Sequence, residues 1–243
     1  MKILILGGTA EARDLANRLV DLGHAVITSL AGRTSRPMLP KGDVRVGKFG
    51  GVPGLSAYLK AARIGRLIDA THPYAGLISI NAVAAAQRTG VPLVRCMRPA
   101  WPEPPGWNWL TVPDVTAAAR ALPAGATAMI TTGHEGLDGF FERDDCHFLV
   151  RLIEPPELRL PPFARLLLAR PPYTVEGETR LFAGETISHL VSKNSGGPQT
   201  FAKLEAAHCL DLETIMIARP VYGPALEVET PEAAIAALHL ATS

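Results

Sequence analysis

Four apolar residues, Ile3-Leu4-Ile5-Leu6, run straight into Gly7-Gly8-Thr9-Ala10-Glu11. Beyond them Ala12, Leu15, Ala16 and Leu19 recur at helical spacing. The chain therefore opens with a strand, a glycine turn and a helix N-terminus. Such a turn gathers unpaired backbone N–H groups and the positive end of a helix dipole, which together favour an anion such as a nucleotide phosphate. Measured against the dinucleotide fingerprint G-x-G-x-x-G/A, Gly7 stands first and Ala12 last, while Thr9 replaces the second glycine. The Thr9 Cβ limits how closely a phosphate approaches, and its hydroxyl is a candidate donor to that phosphate. Gly7, Gly8, Thr9, Ala10 and Glu11 are the candidate pyrophosphate loop.

The rhythm of strand and helix continues. Strands are expected at His24–Leu30, Val44–Val46, Leu67–Ala70 and Pro92–Cys96, with helices at Pro53–Arg63 and Ala75–Arg88, the latter closed by Gly90. Pro99 to Trp109 interrupts this with four prolines and three tryptophans, Trp101, Trp107 and Trp109. These rings suit either a flat apolar wall for a large ring substrate or staples that fix a Pro-rich loop to the body. The pattern then restarts, with strands at Thr127–Thr131, His147–Leu152, Arg165–Ala169, His189–Ser192 and Thr214–Ala218. Helices follow at Glu176–Ala183, Phe201–Cys209 and Pro231–Leu240. This predicts an α/β protein of two Rossmann-like halves, residues 1–112 and 113–243, each with a parallel sheet, and a ligand cleft between them.

Composition narrows the function classes. With 243 residues and 47% hydrophobic content the chain can bury a sizeable core, and a net charge of +1 argues against nonspecific nucleic-acid binding. No apolar run is long enough to span a bilayer, and the opening stretch is too short for a signal peptide, so a cytoplasmic protein is expected. Cys96, Cys146 and Cys209 lack zinc-site or disulfide spacing and are expected to be buried free thiols; no metal site is expected.

In open parallel sheets ligands bind beyond the carboxyl ends of strands, so polar residues there carry most weight. After the second strand come Arg33 and Arg36, with no acidic residue to hold a ribose 2′-hydroxyl. The planar arginine fork suits a 2′-phosphate, which favours NADP(H) over NAD(H). Asp69-Ala70-Thr71-His72-Pro73-Tyr74-Ala75 lies at another strand end, before a helix: His72 is a candidate proton donor near neutral pH and Tyr74 a candidate ring or ribose contact. Ser192-Lys193-Asn194-Ser195-Gly196-Gly197 offers an ammonium, an amide, hydroxyls and glycine N–H groups suited to carboxylates or phosphates. Thr132-Gly133-His134 repeats this design more weakly. No Tyr-x-x-x-Lys pair and no Gly-x-Ser-x-Gly elbow is present.

Gly7-Gly8-Thr9-x-Glu11-Ala12, Thr71-His72-Pro73-Tyr74-Ala75 and Ser192-Lys193-Asn194-Ser195-Gly196-Gly197, in this order and spacing, resemble the precorrin-6A reductase family of cobalamin biosynthesis. The resemblance implies NADPH-dependent reduction of a ring double bond in precorrin-6A, giving precorrin-6B. It implies that Gly8 to Glu11 line the pyrophosphate, Arg33 and Arg36 lie near the 2′-phosphate, and His72 and Tyr74 face the nicotinamide. Lys193 to Gly197 would meet the acid side chains of the tetrapyrrole, with His72, Lys193 or water delivering the proton. Hand-over of substrate between neighbouring enzymes of the corrin pathway fits the same picture. Three other readings stay open: a cobalt-precorrin-6A reductase, a non-catalytic NADP-binding module, and a two-domain transferase using a sugar nucleotide.

Overall fold

The computed structural model describes residues 1–32 and 38–240. Arg33 and Arg36 lie outside the described residues. The chain divides into two units, Met1–Pro99 joined by the segment from Pro220 onward, and Ala100–Arg219.

The first unit contains β1 (Lys2–Leu6), α1 (Ala10–Asp21), β2 (Ala25–Leu30), β3 (Asp43–Val46), α2 (Gly51–Ala61), β4 (Arg66–Asp69), α3 (Gly76–Thr89) and β5 (Leu93–Cys96). In the second unit the chain forms β6 (Trp109–Val112), α4 (Val115–Ala121), β7 (Thr127–Ile130), α5 (Leu137–Phe141), β8 (His147–Leu152) and β9 (Ala164–Leu168). It continues through α6 (Val175–Gly184), β10 (His189–Lys193), a single 3-10 turn (Pro198–Thr200), α7 (Ala202–Cys209) and β11 (Glu213–Ile217). It then returns to the first unit as β12 (Leu226–Val228) and α8 (Pro231–Leu240).

Each unit holds a parallel six-stranded sheet, in the order β12-β5-β4-β1-β2-β3 and β6-β11-β10-β7-β8-β9. In the first sheet the chain winds outward from β1 through β2 to β3, then crosses back to β4 and winds the other way. The second sheet does the same from β7, reversing at β10. This is the doubly wound Rossmann order, and in each unit the reversal leaves two loops diverging at neighbouring strand ends. The expected two Rossmann-like halves are thus present.

The division of the chain differs from a single cut after residue 112. The Pro/Trp stretch belongs to the second unit, because β6 pairs with β11 from Trp109↔Thr214 to Val112↔Ile217. The tryptophans act as staples. Trp101 is buried and its Nε1–H donates to the Gly197 carbonyl at 2.9 Å, while Trp107 stacks on Phe201 and His208 with ring centroids 5.8 and 4.7 Å away. At the other end, β12 pairs with β5, and Ala234, Ala237 and Leu238 of α8 bury against Leu15 and Leu19 of α1. Full burial of a leucine of this kind stabilises by roughly 1.5–3 kcal/mol, which is why the last helix joins the first unit. Of the thiols, Cys96 and Cys146 are buried as expected, but Cys209, at the end of α7, is exposed.

The core of the second unit contains charge. Arg151 donates to Glu178 at 2.6 Å and lies over the Tyr173 ring, and the Lys203 ammonium donates to the Thr131 hydroxyl at 2.8 Å. Lys203 is 5% exposed, and burial, assisted by Arg151, pulls its pKa from 10.5 down to about 7. Between about pH 7 and 10.5 the unfolded chain therefore carries a proton here that the folded chain lacks, so this group makes stability rise with pH across that window. Lys203→Met should remove the dependence. In urea unfolding, the variant's advantage over the parent should be largest below pH 7 and shrink as pH 10 is approached; a difference that does not change with pH would contradict this.

Candidate functional site

In the first unit the reversal lies between β1 and β4, and the loops that diverge there are Gly7-Gly8-Thr9 and Ala70 to Ala75. Gly7 is required by space: a Cβ there would meet Thr28 Cγ2 at 2.9 Å. Gly8 has φ +118, a conformation that side-chain-bearing residues rarely adopt, and nothing among the described residues lies within 4 Å of where its Cβ would be. That combination leaves an open cradle over the start of α1, where the N–H groups of Ala10 and Glu11 have no acceptor within the helix. These features fit a pyrophosphate.

Thr9 has a different task from the one expected. Its Oγ1 accepts from the Ala12 N–H at 3.0 Å as the N-cap of α1, and its hydroxyl proton goes to the Ala70 carbonyl at 2.8 Å. It therefore does not offer that proton to a phosphate. The Glu11 carboxylate is held by Arg98, Nη1 to Oε2 at 3.0 Å, on the segment just past β5. Arg98 offsets the negative charge of Glu11 beside this open turn.

The loop after β4 is anchored from below. Asp69, 2% exposed, accepts from the Thr71 N–H at 3.2 Å and the Thr71 hydroxyl at 2.7 Å. His72 is exposed, and its Nδ1 accepts from the Tyr74 N–H at 3.3 Å, which leaves Nε2 to carry the proton of the neutral ring. The Tyr74 ring lies 5.9 Å from that of His72.

In the second unit the reversal lies between β7 and β10, and there the diverging loops are Thr131 to His134 and Asn194 to Gly197. The Thr131 hydroxyl donates to the Val191 carbonyl at 2.9 Å. Thr132 is buried with no partner for its hydroxyl oxygen among the described residues, Gly133 takes φ +82, and His134 is exposed. Lys193 ends β10, 9% exposed, and Gly196 and Gly197 both take positive φ. Asn194 in this loop and Ser192 in β10 have internal roles that the sequence did not show. The Asn194 side chain accepts from the Trp101 N–H at 2.8 Å and donates to the Trp101 carbonyl at 3.0 Å, so its amide braces the tryptophan segment. The Ser192 hydroxyl is fully buried and donates to the Lys193 carbonyl at 3.1 Å.

Two residues near these loops escaped the sequence reading: Arg98, and Arg219, whose Nε donates to the Asn194 carbonyl at 2.8 Å. Each stands at or just past the end of a strand, the signal that singled out the other loops. Among the described residues, no group of three or more His, Cys, Asp or Glu side chains is arranged to hold a metal ion, and no helix is long and apolar enough to cross a membrane.

Comparison with known proteins gives one consistent answer. The family model described as precorrin-6x reductase CbiJ/CobK matches residues 2–239. A precorrin-6A reductase of Rhodococcus erythropolis is 47% identical over 93% of this chain and 92% of its own length. One of Rhodobacter capsulatus is 46% identical over 90% of this chain and 88% of its own length. A solved structure titled CobK precorrin-6A reductase superposes with a TM-score of 0.92, at 43% identity, covering 100% of this chain and 97% of that one. The reductase names and the Rossmann-like units together point to a nicotinamide cofactor. The chain belongs to the precorrin-6x reductase family and is an oxidoreductase.

Proposed function

We propose that this chain reduces one ring double bond of precorrin-6A, using NADPH, to give precorrin-6B. The observation that carries the reading is that the family match runs through both units and both strand reversals, with relatives named precorrin-6A reductase at 46 and 47% identity. When bound, the nicotinamide supplies the hydride. The protein's part is to position, to neutralise charge and to move one proton.

In this reading Gly7, Gly8 and the N–H groups of Thr9, Ala10 and Glu11 hold the pyrophosphate, with Arg98 screening the Glu11 carboxylate. Arg33 and Arg36 take the 2′-phosphate. Thr71, His72 and Tyr74 face the nicotinamide. Lys193, Ser195, Gly196 and Gly197, with Thr132, Gly133 and His134, take the acid side chains of the tetrapyrrole. A conjugated, protonated macrocycle accepts hydride without a nucleophile, so alignment carries most of the rate; holding two reactants in register is worth up to roughly 7–11 kcal/mol. His72 and Lys193 are the protein's two proton donors in this scheme, with water the third source.

Mixed with NADPH and precorrin-6A, the purified protein should oxidise NADPH and change the absorption of the ring. NADPH binding without turnover would instead indicate a binding module, and turnover of the cobalt-containing ring alone would make the substrate cobalt-precorrin-6A. Arg33→Ala combined with Arg36→Ala should weaken NADPH by about 10- to 100-fold, the loss expected for charged hydrogen bonds, while NADH binding changes little. Equal loss for both nucleotides, measured by fluorescence titration, would remove the 2′-phosphate assignment. Lys193→Ala should raise KM for the tetrapyrrole by about tenfold with the Kd for NADPH unchanged. An unaltered KM would place Lys193 outside the substrate site.

A further inference from the structure

We propose that Tyr222 is a positioning residue for the loop after β4: its hydroxyl fixes Pro73, and with it His72 and Tyr74. The catalytic consequence rests on the function proposed above.

The geometry lies wholly within the first unit. The Tyr222 hydroxyl donates to the Pro73 carbonyl at 2.6 Å, at the short end of the range for such bonds. Pro73 is buried, between exposed His72 and half-buried Tyr74, and the turn closes with the Ala75 N–H donating to the His72 carbonyl at 2.7 Å. Asp69 pins the same loop at Thr71. The loop is therefore held from two sides, and the two anchors are joined.

Arg95 makes the joint. It is 1% exposed; its Nη1 donates to Glu227 at 2.6 Å and to the Gly223 carbonyl at 3.2 Å. Its Nε lies 3.6 Å from the Asp69 carboxylate, and its guanidinium sits 5.1 Å from the centre of the Tyr222 ring. Asp69, Arg95, the 222–227 segment and Pro73 thus form a closed circuit around the His72 turn. Pairing of β12 with β5 involves only Leu226 to Val228, so the return of the strand does not itself require a phenol at 222. The donor to Pro73 comes from the part of the chain that follows the whole second unit. The turn bearing His72 is complete only after that segment has docked.

Tyr222→Phe keeps the ring and removes the donor. Amide exchange at Tyr74 and Ala75 should quicken about two- to tenfold, the loss of one hydrogen bond. The kcat should fall by about the same factor or more, with KM for the tetrapyrrole unchanged. The isotope effect with NADPH deuterated at the transferred position should rise as hydride transfer becomes limiting. A merely structural role would lower the melting temperature and leave that isotope effect as it was. Unchanged exchange overturns the bracing role; faster exchange with unaltered kcat and isotope effect overturns its catalytic consequence. A parent protein that does not oxidise NADPH defeats the proposed function instead, while the exchange result still decides the bracing. Should Tyr222→Phe not fold, 3-fluorotyrosine at 222, a more acidic donor, should slow exchange at the same two amides, and no change there overturns the proposal.

Discussion

The hydrogen bond from the Thr9 hydroxyl to the Ala70 carbonyl, 2.8 Å long, ties together the two loops of the first unit's candidate site. It joins the turn after β1 to the loop after β4, the two loops that part company where the strand order reverses. The same oxygen caps α1 by accepting from Ala12. One side chain therefore sets the start of the helix, and with it the direction in which the free N–H groups point, relative to the turn that carries His72. A glycine in its place would bring a phosphate closer but would leave both links unmade. Loss of a threonine N-cap alone costs about 0.5–2 kcal/mol.

The second unit repeats this arrangement with different chemistry. Thr131 ties the loop after β7 to β10 through Val191, as Thr9 ties its loop to the end of β4. Where the first unit has glycines and a helix N-terminus at its reversal, the second has a lysine at a strand end and three positive-φ glycines, Gly133, Gly196 and Gly197. The sixth strand of each sheet completes the parallel. β6 lies in the chain where a last strand of the first unit would fall, yet it pairs in the second sheet, and β12, following the second unit, pairs in the first. The chain thus passes between units twice, at Pro99 and at Arg219. The second passage brings Tyr222, Glu227 and α8 to the first unit.

Much of this was legible in the residues. Buried parallel strands are short apolar runs that end in glycine or polar residues, so β1, β4, β7 and β10 and the loops beyond them could be placed with little error. β6 and β12 could not. Both are edge strands with exposed positions, Leu110 and Thr111 in one and Leu226 and Glu227 in the other, so neither shows the apolar run that marked the rest. β6 is also masked by the prolines and tryptophans before it, which read as a connection. The internal role of Asn194 was invisible for another reason: its partner, Trp101, lies 93 residues away, and an amide in a glycine loop looks the same whether it meets a ligand or the backbone. At Thr9 two signals compete: a threonine just before a helix is a favoured cap, while the same position in the dinucleotide fingerprint calls for glycine.

In the proposed scheme the first unit, at the reversal between β1 and β4, holds the nicotinamide cofactor. A crystal structure with NADP bound tests it most directly. The pyrophosphate should lie within hydrogen-bond distance of the backbone N–H groups of residues 9–11, and the nicotinamide beside the turn of His72 and Tyr74. A nucleotide bound instead at the loops of Thr132 to His134 and Lys193 to Gly197 would contradict it.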